Sequence, residues 1–303
     1  MRQQDERYDL IVLGATMAGL SATLAGAAAG QRVLLVESGT LAGHEFVETL
    51  QAHRGWALPA DAAAAVRALH LDAARRGIVA DDRCDVAAFS CLLQEALAKS
   101  GAAALYMTDL TGLNAAGEAL TVRLSNRSGI AAVLAARVID ATPEAIGLRA
   151  AQGVTADLPA AEWALRALLV AAEPAAAQSP APGAEEAGLR LFPGRYPSDV
   201  IVELAGRGAA PGIGAARVML MDAVARLREL PAWQNYSVGT AANEVAAAVR
   251  VQTDLACLNR LADHGYSAVG GWRDARLDGA PWAAFAAGEA AFQAAAALPA
   301  QAR

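Results

Sequence analysis

The sequence predicts an α/β chain built on a parallel sheet of strand–helix–strand units, to which the chain returns near its C-terminus. Three observations predict it. "YDLIVLG", from Tyr8 to Gly14, is a short apolar run that reads as a strand buried on both faces. "MAGLSATLAGAAAG" and "QRVLLVES" follow as a small-residue helix, with Gly30 at its end, and a second buried strand, completing one βαβ unit. Near the C-terminus the pattern recurs, with a strand at "YSAV", a glycine turn and another small-residue helix beginning near Pro281.

Composition narrows the class. The 303 residues suit one large α/β unit or two closely connected lobes. At 55 % hydrophobic and 18 % charged, most of the chain is expected to pack rather than remain disordered. The net charge of −6 comes without a basic stripe, so a nucleic-acid partner is not expected. Lys99 is the only lysine amid abundant alanine and arginine, which reads as a coding bias. Cys84, Cys91 and Cys257 form no CxxC pair and read as packed or free thiols of a reducing compartment. The polar "MRQQDERYD" runs straight into a strand without a leader, and the apolar runs are broken by Gly, Ser or Arg. These features predict a soluble, cytoplasmic protein with no membrane span.

The first loop carries chemistry. Gly14 permits a tight turn at the end of the first strand, and the helix starting at Met17 and Ala18 aims free N–H groups at a pyrophosphate. Gly19 lets helix and strand approach closely, and Glu37, roughly 20 residues on and followed by Ser38, is placed to accept from an adenosine ribose. Thr16 stands where a G-x-G-x-x-G loop has its second glycine. Its hydroxyl can donate to a phosphate, but its Cβ crowds the approach. A dinucleotide site and a scaffold that has lost its ligand both remain open here.

The middle of the chain reads as a helix over Val86 to Lys99, a strand over Ala104 to Leu113, two more strands over Leu120 to Leu124 and Ala131 to Val138, and then "IDATPE" from Ile139 to Glu144. The closing segment is "YSAVGGWRDARLDGAPWAAFAAGEAAFQAAAAL". This layout resembles the FAD-dependent oxidoreductases with a glutathione-reductase-like flavin domain. In that family a β-meander's last strand ends in an IDATGD-like segment, and an Asp in the closing turn holds the flavin ribitol. Here Pro143 replaces the glycine, removing an N–H donor, and Gly270 and Gly271 stand in the closing turn, with Asp274 as an acidic candidate. The resemblance implies a Rossmann-like FAD-binding domain over residues 1–150 and 255–303, and an inserted α+β substrate, cap or interaction lobe over 151–254. It also implies FAD, with Gly14, Thr16, Met17, Ala18, Gly19, Glu37, Ser38, His44, Thr142, Gly270, Gly271 and Asp274 as its candidate contacts. NAD as sole cofactor is disfavoured, since a NAD fold would continue into further βα units.

Within the lobe, Ala171 to Gly188 reads as a Pro- and Ala-rich loop, Leu189 to Gly206 as strand–turn–strand, and the following segment as a helix with Val218, Leu220 and Met221 on an apolar stripe. Of the four histidines, none has metal-ligand spacing, so no metal is expected. His44, seven residues after Glu37, resembles in its spacing a histidine that bonds FAD covalently in fumarate reductase and succinate dehydrogenase flavoproteins. A polar, non-covalent contact is the preferred expectation. His53 and Arg54 are candidates for the substrate side, with Arg54 clamping a carboxylate; two exposed loop residues are the plainer alternative. Two functions follow. One is an FAD-dependent oxidoreductase taking hydride from a small organic substrate, the flavin doing the chemistry. The other is a catalytically degenerate flavin-fold subunit serving a second protein subunit in a hetero-oligomer, consistent with the departures at Thr16, Pro143 and Gly271.

Overall fold

The computed structural model describes residues 6–60, 62, 64–158, 162–173, 179–247, 250–269 and 281–297. At its centre five parallel strands lie in the order Tyr266–Ala268, Val138–Asp140, Leu10–Leu13, Val33–Val36 and Ala103–Leu105. Leu10–Leu13 and Val33–Val36 are buried throughout, as a strand covered on both faces must be. Side chains alternate between the two faces. Leu10, Val12, Val33 and Leu35 pack under helices, whereas Ile11, Leu13, Leu34 and Val36 pack under the meander. The meander comprises Asp109–Ala116, Ala119–Asn126 and Gly129–Ala135, with Arg7–Tyr8 added parallel at its edge.

The expected single strand from Ala104 to Leu113 is in fact two. Ala103–Leu105 closes the parallel sheet, and Asp109–Ala116 opens the meander. Between them the chain turns a corner at Met107, which has φ +49, because the Met107 and Thr108 amides donate to the carbonyls of Gly39 and Glu37.

The helix Met17–Ala28 is buried from Met17 to Thr23 and again at Gly26, and its small residues make that possible. A Cβ on Gly19 would lie 1.8 Å from the Gly14 carbonyl oxygen, and one on Gly26 would meet Leu10 and Val33. The C-terminal helix Pro281–Ala297 lies against it, with Gly288 so close that an added Cβ would sit 1.9 Å from the Ala18 oxygen. Trp282 anchors that helix: its indole donates to the Trp56 carbonyl at 2.9 Å inside a cluster with Phe89, His70 and Trp56. The closing strand thus pairs with Val138–Asp140 at the sheet edge, and the closing helix lies against Met17–Ala28.

The inserted lobe is an antiparallel sheet in the order Ala184–Glu186, Leu189–Pro193, Asp199–Arg207, Glu162–Ala171 and Tyr236–Ala241. The region expected as a loop from Ala171 to Gly188 therefore contains a short strand. Ala184 is drawn into it by a tight pairing with Leu191. One face of the sheet packs on the helix Ile213–Arg228 through Leu165, Leu169, Val202 and Leu220. The buried stripe of that helix runs Ala216, Leu220, Ala223, Val224, Leu227. Val218 is 62 % exposed, contrary to expectation, because two residues on a helix turn about 200° away from Leu220. The sheet's other face, through Phe192 and Ile201, joins the core of the first βαβ unit. Among the described residues no helix is long and apolar enough to cross a membrane.

Gly288→Ala should test the helix–helix contact. We expect a loss of about 1–3 kcal/mol, since backbone must yield to the new methyl; urea unfolding with an unchanged midpoint would refute the close approach.

Candidate functional site

At the carboxyl ends of the parallel strands a cavity of about 430 Å³ opens, where α/β sheets place their ligands. Gly14, Glu37, Ser38, His44 and Thr142, all expected, line it. So do Gly39, Asp109, Glu48, Glu144 and Glu244, none of which the sequence singled out. Gly14 has φ +91, a conformation that favours glycine, and an added Cβ would sit 2.9 Å from the Thr142 methyl.

Glu37 is 2 % exposed and organises the site. One of its oxygens accepts from the Ala15 amide and the other from the Gly39 amide, each at 2.6 Å. His44 Nδ1 lies 3.4 Å from Glu37 Oε2. Burial alone would raise Glu37, but the neighbouring imidazole and the two amides hold its pKa below the ordinary value. Burial alone would likewise lower His44. Glu37, with the charges of Glu45 and Glu244, instead lifts it to about 9. Behind the cavity Asp140, fully buried, accepts from Thr142, the Gly147 amide and the Tyr266 hydroxyl. Burial pushes its pKa up against those bonds.

The helix start has an occupant that sequence reasoning missed. Thr16 is the N-cap: its hydroxyl accepts from the Gly19 amide and donates to the Ala141 carbonyl, turned away from any phosphate. The Met17 amide donates to Glu45 Oε1 at 2.6 Å. Glu45 comes from the four-residue helix His44–Val47, entered through Gly43 at φ +69. Its carboxylate thus takes the position at a helix N-terminus that favours an anion. Burial raises its pKa. The available signal was an acid within "GHEF", two residues after a glycine.

His53 and Arg54 lie apart from this cavity, where the lobe sheet meets the first domain. His53 is 6 % exposed rather than a loop residue in solvent, and stacks on Phe192 with ring centroids 4.1 Å apart. Arg54 also lies over Phe192, with its guanidinium 4.0 Å from Glu203. Glu203 and its neighbour Arg166, both 0 % exposed, were missed as well; a lone charge inside each of the apolar strands "EWALRALLVA" and "DVIVELAG" was their signal. Gly270, Gly271 and Asp274 lie outside the described residues. Asp85 caps the helix Val86–Ser100 through the Ala88 amide.

The His44–Glu37 pair generates a pH dependence. Because the folded pKa of about 9 exceeds the ordinary 6.5, the pair's stabilisation is complete below about 6.5 and is lost as pH rises through 9. The His44→Gln variant should therefore lose less stability than the wild type between those limits in denaturant titrations. Parallel curves would remove the pair.

The family profile of FAD dependent oxidoreductases matches residues 9–165. No curated protein sequence matches the chain. Among solved structures it is similar to a geranylgeranyl bacteriochlorophyll reductase-like protein from Thermoplasma acidophilum, at 16 % identity over 96 % of this chain and 78 % of that one, with a TM-score of 0.64. It is also similar to the myxobacterial chondrochloren halogenase CndH, a variant of FAD-dependent halogenases, at 17 % identity, 93 % and 73 % coverage and a TM-score of 0.62. A third is the flavin-dependent brominase Bmp2, at 14 % identity, 98 % and 81 % coverage and a TM-score of 0.61. At such identities the likeness shows the fold. The family match spans more than half of the 303 residues and takes in the Gly14 loop, Glu37 and Thr142, so the chain belongs to the FAD-dependent oxidoreductase family.

Proposed function

We propose that the protein is an FAD-dependent oxidoreductase that oxidises a small organic substrate and holds its flavin without a covalent bond. The observation that carries this reading is the convergence of Gly14, Glu37 and Thr142 on one cavity at the ends of adjacent parallel strands. The adenosine half of FAD fits. Each Glu37 oxygen has lone pairs left after its amide bond and can accept from ribose hydroxyls. The pyrophosphate fits at the Met17 amide, beside Thr16, Ala18 and Gly19, once the Glu45 carboxylate leaves it. The exchange is anion for anion. It requires a side-chain rotation on a short helix, not a refolding.

When bound, FAD supplies the two-electron hydride acceptor. The chain's share is to hold, orient and exclude water. Residues 1–150 and 255–303 would grip the cofactor, and 151–254 would cover the substrate, with His53 and Arg54 on that side. His44 is already engaged with Glu37, which supports its acting as a polar contact instead of a covalent anchor.

A specific observation favours a second reading, a degenerate flavin-fold subunit that assists a partner chain. Glu45 accepts from the Met17 amide that a pyrophosphate would need, and Glu48, Asp109, Glu144 and Glu244 line the cavity. Unscreened carboxylates oppose a pyrophosphate.

The visible spectrum after incubation with FAD and desalting separates the two. The enzyme reading expects a yellow wild type whose colour passes entirely to the supernatant on acid precipitation. Glu45→Ala should then bind FAD about tenfold tighter, near 1.4 kcal/mol. If both proteins stay colourless, the enzyme reading fails and the subunit reading stands.

A further inference from the structure

The lobe sheet carries a row of charges across three strands. Strand pairing sets Glu203 opposite Arg166 on one side and Arg190 on the other. Arg166 Nε donates to Glu203 Oε2 at 2.7 Å, and Arg190 Nη2 lies 2.5 Å from Glu203 Oε1. The row faces the first domain, on the same side of the sheet as Phe192 and Ile201. There it meets Thr49, His53 and Arg54: Arg166 Nη1 donates to the Thr49 carbonyl at 3.1 Å, and His53 stacks on Phe192.

The internal partners do not satisfy this cluster. Two guanidiniums already share one carboxylate before Arg54 is counted. Arg166 is 0 % exposed, yet its Nη2 has no hydrogen-bond partner. His53 is 6 % exposed, yet neither ring nitrogen has one. Arg190 Nε is also without a partner. Buried polar groups left this way are costly; Arg166 and Glu203 form the fully buried pair, and the partly exposed Arg190 and Arg54 add positive charge at its edge. Burial and the three arginines hold His53 neutral, its pKa pushed down to about 2, so the ring offers one N–H donor without adding charge. Two members of the cluster reach solvent, the side chains of Arg54 and Arg190 being 27 % and 36 % exposed.

We propose that His53, Arg166 and Arg190, walled by Phe192 and rimmed by Arg54, form a binding site for the carboxylate of a small organic acid. A planar carboxylate has two oxygens with four acceptor positions, enough to take an Arg166 Nη2–H, the Arg190 Nε–H and the His53 N–H while neutralising one surplus charge. The donors all come from the lobe sheet and the segment following His44–Val47, so the site stands whether or not flavin binds.

The test is thermal unfolding of the full chain with sodium acetate, with sodium phosphate, and with sodium chloride at matched ionic strength. Saturable stabilisation by acetate is expected, a Tm rise of roughly 3–5 °C beyond the chloride control. His53→Phe keeps the ring stack but removes both nitrogens, and Arg190→Gln removes an exposed-rim guanidinium; each should abolish most of the acetate shift while the protein still unfolds cooperatively. An acetate response no larger than that to chloride overturns the proposal. So does a response to phosphate alone, or one that persists undiminished in both variants. Should either variant not fold, the wild-type acetate-against-chloride comparison decides.

Discussion

The carboxylate of Glu37, buried at the end of a parallel strand, accepts from the amides of Ala15 and Gly39 and faces the ring of His44. One side chain therefore joins the turn before the first helix to the connection after the second strand. The joint ties together segments that border the cavity, which Gly14, Glu37 and Gly39 line. Burying a carboxylate is costly unless it is hydrogen-bonded and faced by a cation. Both conditions are met, which is why its pKa stays low despite burial. Around it the small residues act in concert. Gly14 makes the turn, Gly19 brings the helix onto that turn, and Gly288 lets the C-terminal helix lie directly on the first.

The same geometry explains why Glu45 is so placed. A helix N-terminus buried against a sheet presents amides that water cannot reach, and an anion must satisfy them. Here the chain supplies its own, from a short helix that Gly43 turns inward. On the reading proposed above, the pyrophosphate of FAD and the Glu45 carboxylate would compete for this one amide. The surrounding acids would tilt that competition towards the anion of lower charge, and a single carboxylate carries less charge than a pyrophosphate.

Much of the framework was legible in the sequence because it depends on local signals. Fully apolar runs of four residues gave the central strands, and Gly14, Glu37 and Thr142 converge on the cavity because strand ends in a parallel sheet must point the same way. What was not legible depends on pairing and direction. The break at Met107 is set by carbonyls of Gly39 and Glu37, some seventy residues earlier in the chain. The exposure of Val218 follows from which side of its helix the lobe sheet approaches. His53 looks like a loop polar residue until Phe192, distant in sequence, is folded over it. Arg166 and Glu203 are unremarkable singly and acquire meaning only through strand register.

That register also fixes what the lobe can be. A sheet whose only task was to pack would carry apolar residues at the positions of Arg166, Arg190 and Glu203, as it does at Leu168, Ile201 and Phe192 two residues along. Replacing a buried ion pair with apolar residues of similar volume is often neutral or stabilising, so packing gives no reason for this row. Its position gives one. The row lies on the face that meets the first domain, where a covering lobe would contact a substrate held over a flavin, and its surplus is positive while the strand-end cavity is acidic. Two regions of opposite sign would sort ligands by charge. On the proposals above, an acid would be drawn to the arginines and kept from the carboxylates.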